Sequence, residues 1–486
     1  MAMPQLVGET LSASWEAELQ TAFAKIHDAT RAEKMPDAAL RRDRLARLNN
    51  ALLDHSERLI AAVDADFGGR SSAETQLAEI YPVLDGIRYQ RKHLSKWMKT
   101  RSRSTPLMLQ PAKVELQIQP LGVVGIVVPW NFPIMLGFSP LVGALAAGNR
   151  AMIKTSEFAP RTGDAVAALI DDAFAPDEVS VVQGGVEVAR AFTSLAFDHL
   201  VFTGSTAVGR KVMAAAAENL TPVTLELGGK SPAIVHHTYD TQEAAKRIAF
   251  SKGMNAGQIC VAPDYVLCPR NKVDAFAEAF EQAFSSNYPT LLDNADYTSI
   301  ITNNQHARLQ KWLADARSKG ATVTEINPAE EDFSGSRKTP MYIVRDGSDE
   351  MTLMQEEIFG PILPIVPYDT LDDAIAYVNE RARPLALYYF DSDAARANQV
   401  LAETHSGGAC INDTLSQVVA EAVPFGGIGP SGMGHYHGPE GFLNFSKQKA
   451  VVRRGSIYPL NWIGPPWRSG WFKRLQALQS WRFRRL

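Results

Sequence analysis

The first hundred residues combine a polar composition with apolar side chains at helical spacing. Leu45, Leu48 and Leu52 recur at intervals of three and four in a stretch rich in Arg, Asp, Glu and Ala, and such spacing places side chains on one face of a helix. We therefore predict several amphipathic helices between about residues 14 and 99. The segment 114–119 instead alternates apolar and polar residues, which predicts an exposed strand.

Beyond residue 120, short apolar runs alternate with helical patterns. The first series is LGVVGIVV, AMIK, VSVVQG, HLVFTG and VTLEL, and the second, beginning near Ser231, is SPAIV, YVLCPR, MYIV, PILPIVPY, ALYYF and ACIND. Alternation of buried strands with helices is typical of parallel sheets covered by helices. The sequence therefore predicts two α/β domains, with a boundary at residues 228–230.

The strongest candidate for a membrane span is the charge-free run 116–149. Prolines at 129, 133 and 140 break this run into a strand, a turn and a helix. In lipid, the backbone groups freed by those breaks would lack hydrogen-bond partners. We therefore expect no span there.

Residues 451–486 form a tail of different composition, with eight Lys or Arg, no Asp or Glu, and four of the eight Trp. As a helix, the tail would place its apolar side chains on one face and its basic side chains elsewhere: Trp467, Trp471, Leu475, Leu478 and Trp481 against Lys473, Arg474, Arg482 and Arg484. That arrangement is typical of a helix at a membrane interface, whereas apolar stripes on helices more often face protein. Peripheral membrane contact and docking on the body of the protein or a partner subunit both stay open.

The net charge and the cysteine content limit which binding partners and which cellular compartment we expect. The net charge of -4 gives no reason to expect nucleic acid, because nucleic-acid-binding proteins usually carry a basic surplus. Cys260, Cys268 and Cys410 form no CxxC pair, which is typical of a reducing compartment and argues against a disulfide framework. The N-terminus lacks a basic segment followed by an apolar one, so we expect no export and a cytoplasmic protein.

Two stretches carry the main candidate chemistry: TLELGGKSP contains Glu226 and NAGQICVAPD contains Cys260. A thiolate is a strong nucleophile, and a carboxylate can activate the water that releases a covalent adduct. Because the predicted domain boundary lies between them, the two side chains would meet in an interdomain cleft. Taken alone, a free cysteine is more often a small buried hydrophobe, and a glutamate after a strand is more often a cap or an ion-pair partner.

Two further motifs are typical of nucleotide binding. FTGSTAVGR follows a strand and opens a helix, so Gly204, Ser205 and Gly209 would let the backbone and the helix N-terminus approach a phosphate. At the end of another strand, Lys154 and Glu157 could hold ribose hydroxyls. The plainer interpretations are a tight strand-to-helix turn and two surface charges.

PWNFP mounts Asn131 on a stiff turn, where its amide could donate a hydrogen bond to an oxyanion. An Asx-turn is the commoner use of asparagine beside proline. His435 and His437 lie two apart in a glycine-rich loop without a third ligand nearby, so we predict no metal site. The sequence also has no GxSxG motif, which weakens a serine-hydrolase interpretation.

Taken in order, the motifs PWNFP, GNRAMIKTSE, FTGSTAVG, LELGGKSP, GQIC, EEIFGP and PFGGIGPSGMG resemble those of the aldehyde dehydrogenase superfamily across about residues 13–452. PFGGIGPSGMGHYHGPEGF and FSKQKAV resemble its class 3 branch, especially the bacterial coniferyl aldehyde dehydrogenases. The resemblance implies NAD(P)-dependent oxidation of an aldehyde to a carboxylic acid by a homodimer. An aromatic substrate such as coniferyl aldehyde and a medium- or long-chain aliphatic one both stay open.

The resemblance also implies roles for individual residues. Cys260 would be the nucleophile, Glu226 the general base and Asn131 the oxyanion amide. The implied cofactor residues, from the adenosine ribose to the nicotinamide, are Lys154, Glu157, Gly204, Ser205, Gly209, Glu357 and Phe359. The implied substrate pocket contains Phe132, Ile259, Val261 and Phe425. Because a carboxylate at 157 would repel a 2′-phosphate, NAD is the expected cofactor, with NADP still open.

The implied architecture is a Rossmann-like NAD(P)-binding parallel-sheet domain, a second α/β catalytic domain and a small β oligomerisation element. Their expected ranges are 1–113 with 120–229, then 230–415, then 114–119 with 416–452, followed by the tail 453–486. A CoA-acylating dehydrogenase and a cofactor-binding structural protein without turnover are the alternatives. Glu226 argues for release of the product to water, and the presence of Cys260, Glu226 and Asn131 together argues for turnover.

Overall fold

The computed structural model describes residues 15–106, 109–456, 465, 467 and 470–484. Its strands form three sheets. In chain order, the strands are β1 (Arg101–Arg103), β2 (Lys113–Pro120), β3 (Val123–Val127), β4 (Arg150–Lys154), β5 (Val179–Val182), β6 (His199–Gly204), β7 (Val223–Leu227), β8 (Pro232–Val235), β9 (Tyr265–Pro269), β10 (Thr322–Ile326), β11 (Met341–Arg345), β12 (Ile362–Tyr368), β13 (Ala386–Phe390), β14 (Gly408–Ile411), β15 (Gly432–Met433) and β16 (Ser446–Arg453).

The described part of the chain also contains α-helices. They are α1 (Trp15–Ala32), α2 (Ala38–Asp54), α3 (Ser56–Phe67), α4 (Ser72–Thr75), α5 (Tyr81–Trp97), α6 (Met135–Ala147), α7 (Pro160–Ala173), α8 (Val186–Thr193), α9 (Thr206–Ala217), α10 (Thr241–Gly253), α11 (Val273–Asn287), α12 (Asn303–Ser318), α13 (Thr352–Gln355), α14 (Leu371–Asn379), α15 (Ala394–Glu403), α16 (Gly438–Asn444) and α17 (Gly470–Phe483). A π-helical turn, Gln76–Ile80, joins α4 to α5. The predicted α/β fold class is confirmed.

The first large sheet has the strand order β15-β7-β6-β3-β4-β5. All neighbours are parallel except β15, which runs antiparallel to β7. Every residue of β3 and β4 is buried, as the uninterrupted apolar runs predict. The chain runs outward from β3 in both directions, so the carboxyl ends of β3 and β6 form the switch point where ligands bind in sheets of this kind.

The second large sheet has the order β10-β11-β12-β9-β8-β13-β14 and is parallel apart from the edge strand β10. Its strands come from one continuous stretch of chain, 232–411. Every residue of β8, β9 and β13 is buried. The residues between the two sheets therefore form the cleft in which the predicted site residues meet.

The third sheet joins distant parts of the chain in the order β1-β2-β16. β16 pairs with β2 along its whole length, from Ser446 opposite Pro120 to Arg453 opposite Lys113. β15, in contrast, places Gly432 opposite Glu226 in the first sheet, so residues 432–433 do not belong with the predicted oligomerisation element. A Cβ on Gly432 would lie 2.1 Å from the carbonyl oxygen of Leu225, and only glycine allows this approach.

The tail forms the helix α17, but its basic and apolar side chains are not segregated as predicted. The guanidinium of Arg474 lies 5.7 Å from the ring centroid of Trp471, and Arg482, eleven residues after Trp471, returns to the same face because eleven residues complete about three turns. Trp471 is 60% exposed. In the described part of the chain, no helix is long and apolar enough to cross a membrane; residues 457–464, 466, 468, 469, 485 and 486 of the tail lie outside it.

Candidate active site

Two cavities meet at Cys260. The apolar cavity has a volume of about 330 Å³ and contains all four predicted pocket residues, Phe132, Ile259, Val261 and Phe425. The polar cleft, of about 360 Å³, contains Asn131, Gly204, Ser205, Glu226, Glu357 and Phe359. Cys260 lines both, so the structure brings the predicted nucleophile to the point where the two cavities join.

An unusual backbone turn presents Cys260. Asn255, Ala256 and Gly257 have positive φ angles of 48°, 49° and 73°, and a left-handed conformation costs about 1–2 kcal/mol for each residue other than glycine. The side chain of Gln258 supports the turn by donating to the carbonyls of Asn255 (2.9 Å) and Ser299 (3.0 Å). The strain is therefore concentrated directly before the predicted nucleophile, where strained backbone often has a functional role.

The environment of Cys260 holds its thiol protonated at neutral pH. Burial, followed by the nearby carboxyls of Glu357 and Glu226, raises the pKa of Cys260 to about 12. Because the thiolate is the reactive form, the cysteine needs a proton acceptor or a positive charge close to the sulfur before it can react. A proton acceptor or a positive charge can approach the sulfur from the polar cleft.

Glu226 lies in β7 with only 3% of its surface exposed. Both carboxyl oxygens lack a hydrogen-bond partner, and burial raises the pKa of this group well above its ordinary value. A buried carboxyl with a raised pKa in a cleft is a candidate for proton transfer. Glu226 lines the polar cleft, so its carboxyl is reached from there.

Asn131 is held at three points. Its backbone carbonyl oxygen accepts hydrogen bonds from Arg70 Nη1 at 2.8 Å and Asn255 Nδ2 at 3.2 Å. Its own Nδ2 donates to the carbonyl of Gln258 at 3.2 Å. Because an amide nitrogen carries two protons, one N–H remains to donate to a ligand in the cleft.

The loop from β6 into α9 fits the phosphates of a dinucleotide. Gly204 and Ser205 line the cleft, and the Ser205 side chain caps α9 by accepting from the N–H of Val208 at 3.4 Å. A Cβ on Gly209 would lie 2.7 Å from Leu227 Cδ2, so glycine is needed for α9 to pack this closely on β7. This combination of a helix N-terminus and close packing is typical of pyrophosphate binding.

Glu357 and Phe359 lie on the opposite wall of the cleft. A Cβ on Gly228 would come 2.0 Å from Glu357 Oε2, so the carboxyl rests directly on the backbone between the domains. Burial, with a further contribution from Asp264, raises the pKa of Glu357 to about 8. Phe359 meets Trp130 edge to face, with 5.3 Å between ring centroids.

Lys154 and Glu157 line neither cavity and lie further along the same sheet edge. Lys154, at the end of β4, is buried and donates to the carbonyl of Thr155 at 2.7 Å. Its Nζ lies 3.8 Å from Glu157 Oε2, and burial lowers its pKa. β4, which carries Lys154, lies next to β3 in the first sheet.

Several residues that line the site have no recognisable signal in the sequence. Gln305, Arg308 and Trp312 of α12 line the polar cleft, and Arg308 donates to the carbonyl of Ile358 at 2.7 Å. The apolar cavity includes further side chains from separate elements: Leu77, Met135, Phe250, Met254, Leu415 and Val419. Among the described residues, no group of three His, Cys, Asp or Glu could hold a metal ion.

The sequence profile of the aldehyde dehydrogenase family matches residues 5–451. A Pseudomonas aeruginosa protein named "Probable coniferyl aldehyde dehydrogenase" is 52% identical over 450 residues, 93% of this chain and 94% of that protein. A coniferyl aldehyde dehydrogenase from a Pseudomonas species is 47% identical over 442 residues, 90% of this chain and 92% of that protein.

Solved structures are similar over the same length. The substrate-bound AldH of Staphylococcus aureus has a TM-score of 0.88 and 36% identity, covering 95% of this chain and 99% of that one. A Mycobacterium tuberculosis aldehyde dehydrogenase complexed with NAD+ has a TM-score of 0.81 and 30% identity, covering 91% of each chain.

Proposed function

The chain belongs to the aldehyde dehydrogenase family and catalyses the NAD(P)-dependent oxidation of an aldehyde, and we propose that Cys260, Glu226 and Asn131 perform the chemistry. The observation that carries this proposal is the position of Cys260 in the walls of both cavities. An aldehyde in the apolar cavity and a nicotinamide in the polar cleft would then approach the same sulfur from two sides.

The Cys260 thiol first loses its proton to solvent in the polar cleft, and the thiolate then attacks the aldehyde carbon, so that the carbonyl oxygen becomes an oxyanion. The free N–H of the Asn131 amide and the backbone N–H of Cys260 donate to it. Donors fixed in advance cost no reorganisation when the charge develops, and one such donor contributes about 100- to 1,000-fold in rate. The fixed position of Asn131 supports this role.

A bound NAD(P) would supply the hydride acceptor in the polar cleft, and Cys260 would then hold the oxidised substrate as a thioester. Gly204, Ser205 and Gly209 would bind its pyrophosphate, Lys154 and Glu157 its adenosine ribose, and Glu357 and Phe359 its nicotinamide half. Glu226 then removes a proton from the water that hydrolyses the thioester. Its isolated carboxyl supports this assignment, because no ion pair or hydrogen bond competes for the lone pairs.

We also propose that the preferred substrate is an aromatic aldehyde of the coniferyl type. Two relatives that cover at least 90% of this chain bear that name, and the apolar cavity of about 330 Å³ is lined in part by the rings of Phe132, Phe250 and Phe425. Aromatic rings pack favourably against one another, so a flat aromatic substrate suits these walls.

The test is a comparison of kcat/KM for coniferyl aldehyde, benzaldehyde and aliphatic aldehydes of increasing length, each with NAD and NADP. We expect coniferyl aldehyde to exceed benzaldehyde and the best aliphatic aldehyde by about tenfold or more, a difference within the range that pocket contacts supply. A higher value for a long-chain aliphatic aldehyde would refute the substrate proposal without affecting the proposed chemistry.

The homodimer and the cytoplasmic location remain predictions. The exposed side chains along the edge strand β16 support a dimer, since an unpaired sheet edge can bind another chain. Light scattering of the purified full-length chain measures the mass of the assembly.

A further inference from the structure

A buried arginine lies behind the turn that carries Asn131. The side chain of Arg70 is completely enclosed, and its Nη1 donates to the Asn131 carbonyl oxygen at 2.8 Å. The guanidinium also lies over the ring of Phe132, 4.6 Å from its centroid. Arg70 therefore contacts two consecutive residues of the turn: Asn131, which lines the polar cleft, and Phe132, which lines the apolar cavity.

Two buried carboxyls pair with Arg70: Glu74, whose Oε1 lies 3.8 Å from Arg70 Nε, and Glu79, which also holds the end of the same turn. Its Oε1 lies 3.2 Å from Arg70 Nη1, and its Oε2 accepts from the backbone N–H groups of Ile134 at 2.7 Å and Met135 at 3.2 Å. The Glu79 side chain is also completely enclosed. A buried ion pair is weak evidence for stability, so the informative feature is that both Arg70 and Glu79 hydrogen-bond the Asn131 turn.

The position of Glu79 depends on the π-helical turn between α4 and α5. Within this turn, Leu77 and Ala78 line the apolar cavity, while the next residue, Glu79, is directed inward to the start of α6. π-helical turns are uncommon and occur frequently at functional sites. One turn thus supplies part of the substrate wall and the support of Asn131.

Asn131 also connects to the Cys260 loop. Its Nδ2 donates to the carbonyl of Gln258, and Asn255 Nδ2 donates to the carbonyls of both Asn131 and Gln258. The backbone carbonyl of Asn131 thus links Arg70 to the Cys260 loop, because it accepts hydrogen bonds from both Arg70 and Asn255. The distance between the Asn131 amide and the Cys260 sulfur therefore depends on how firmly Arg70 holds the turn.

We propose that Arg70 and Glu79 are positioning residues that hold the Asn131 amide at the place where the oxyanion forms. The proposal rests on the oxyanion role given to Asn131 in the proposed function. A displacement of about 1 Å can reduce a rate about 100-fold. Lysine at position 70 would retain the charge but supply a point charge on a flexible stem, which does not reproduce the planar contacts of a guanidinium.

The first measurement is the single-turnover rate of NADH formation at saturating NAD and coniferyl aldehyde. We expect Arg70→Lys to lower this rate by about tenfold or more, and Glu79→Gln, which conserves volume, to lower it in the same direction. Alkylation of Cys260 by iodoacetamide should stay within about twofold of the wild-type rate, because alkylation builds no oxyanion for Asn131 to stabilise. Equal losses in both reactions would contradict the proposal.

The second measurement is a double-mutant cycle with Asn131→Ala. If Arg70 acts through Asn131, Arg70→Lys causes no further loss once the amide is gone. Additive losses would overturn the positioning role while leaving the proposed chemistry intact. An Asn131→Ala variant with the wild-type rate would instead overturn the oxyanion assignment itself, and the positioning role with it.

Arg41 offers a matched control, because it contacts the end of α6, whereas Glu79 contacts the start of α6. It is buried, and its Nη1 donates to the carbonyls of Ala147 at 2.7 Å and Ala146 at 3.2 Å, where α6 ends. We expect Arg41→Lys to lower the melting temperature while keeping the single-turnover rate within about twofold of wild type, since Asn131 keeps its support. A loss of rate equal to that of Arg70→Lys would show that any loosening of α6 is sufficient, and would refute the specific role.

Discussion

The two cavities that share Cys260 have different walls. The apolar cavity is formed mainly by aliphatic and aromatic side chains, with Asp413 as its one charged lining residue. The polar cleft contains the ionisable side chains of Glu226, Arg308, Glu356 and Glu357. Glu226 lines the cleft and not the apolar cavity. In the proposed mechanism, the water that it activates would therefore reach the thioester from the cofactor side, and the apolar cavity would select aldehydes by shape and hydrophobicity.

Replacing the shared residue tests whether both cavities depend on it. Cys260→Ala should reduce NADH formation by more than about 1,000-fold, because loss of a nucleophile is the largest single loss that an active site of this kind shows. The affinity for NAD, measured by fluorescence quenching, should stay within about twofold. Cys268→Ala, a change at a buried cysteine in β9, is the matched control and should retain activity. Residual turnover near the wild-type rate would exclude Cys260 as the nucleophile.

The next largest effect should come from the cleft side alone. Glu226→Gln should leave a burst of about one NADH per site and lower the steady-state rate by about 100- to 1,000-fold, because only hydrolysis of the thioester needs the base. The wild-type rate should fall as pH is lowered through the raised pKa of Glu226, since the base works in its deprotonated form. The variant should lack this acidic limb. An unchanged steady-state rate in rapid-mixing experiments would assign the base elsewhere.

A change further along the first sheet, outside the cleft, should alter the cofactor preference and not the aldehyde preference. Glu157→Gln should raise the ratio of kcat/KM with NADP to that with NAD by about tenfold to 100-fold, because the carboxylate that repels a 2′-phosphate is lost. Glu243→Gln, on an exposed ion pair with Arg247, should leave the ratio unchanged. If the ratio does not move, Glu157 does not face the ribose.

The smallest effect should come from the apolar cavity. Phe425→Leu should lower kcat/KM for coniferyl aldehyde by about threefold to tenfold, because it removes part of one aromatic wall. The affinity for NAD should not change, since Phe425 does not line the polar cleft. An equal loss with propanal would show that the substitution disturbs Cys260 and not the recognition of the ring.

The sequence predicted the buried parallel strands and the loops that follow them, because these strands are largely apolar runs and the site loops follow directly from them. It did not predict β1 or β10, which are partly exposed edge strands rich in polar residues. It did not predict β15 either, since a two-residue strand containing Gly432 has no side-chain alternation to detect. Arg70 and Glu79 were missed for another reason. Arg70 lies in the loop between α3 and α4, and Glu79 lies in the π-helical turn. Charged residues in such polar segments have the same local sequence pattern whether they face water or a buried turn 55 to 61 residues later in the chain. The prediction that the tail helix separates its apolar and basic side chains was wrong, because Arg474 and Arg482 lie on the face of Trp471.

The strand that flanks Glu226 comes from the far end of the chain. β7 ends at Leu227, whereas its partner β15 begins at Gly432. β2 likewise pairs with a strand, β16, that is synthesised much later. The seven-stranded sheet, drawn from 232–411, can complete its pairing earlier during synthesis, since contacts between nearby segments form first. The predicted general base therefore acquires its closed environment only after almost the whole polypeptide has left the ribosome, and an unfinished chain cannot present a complete pocket to reactive aldehydes.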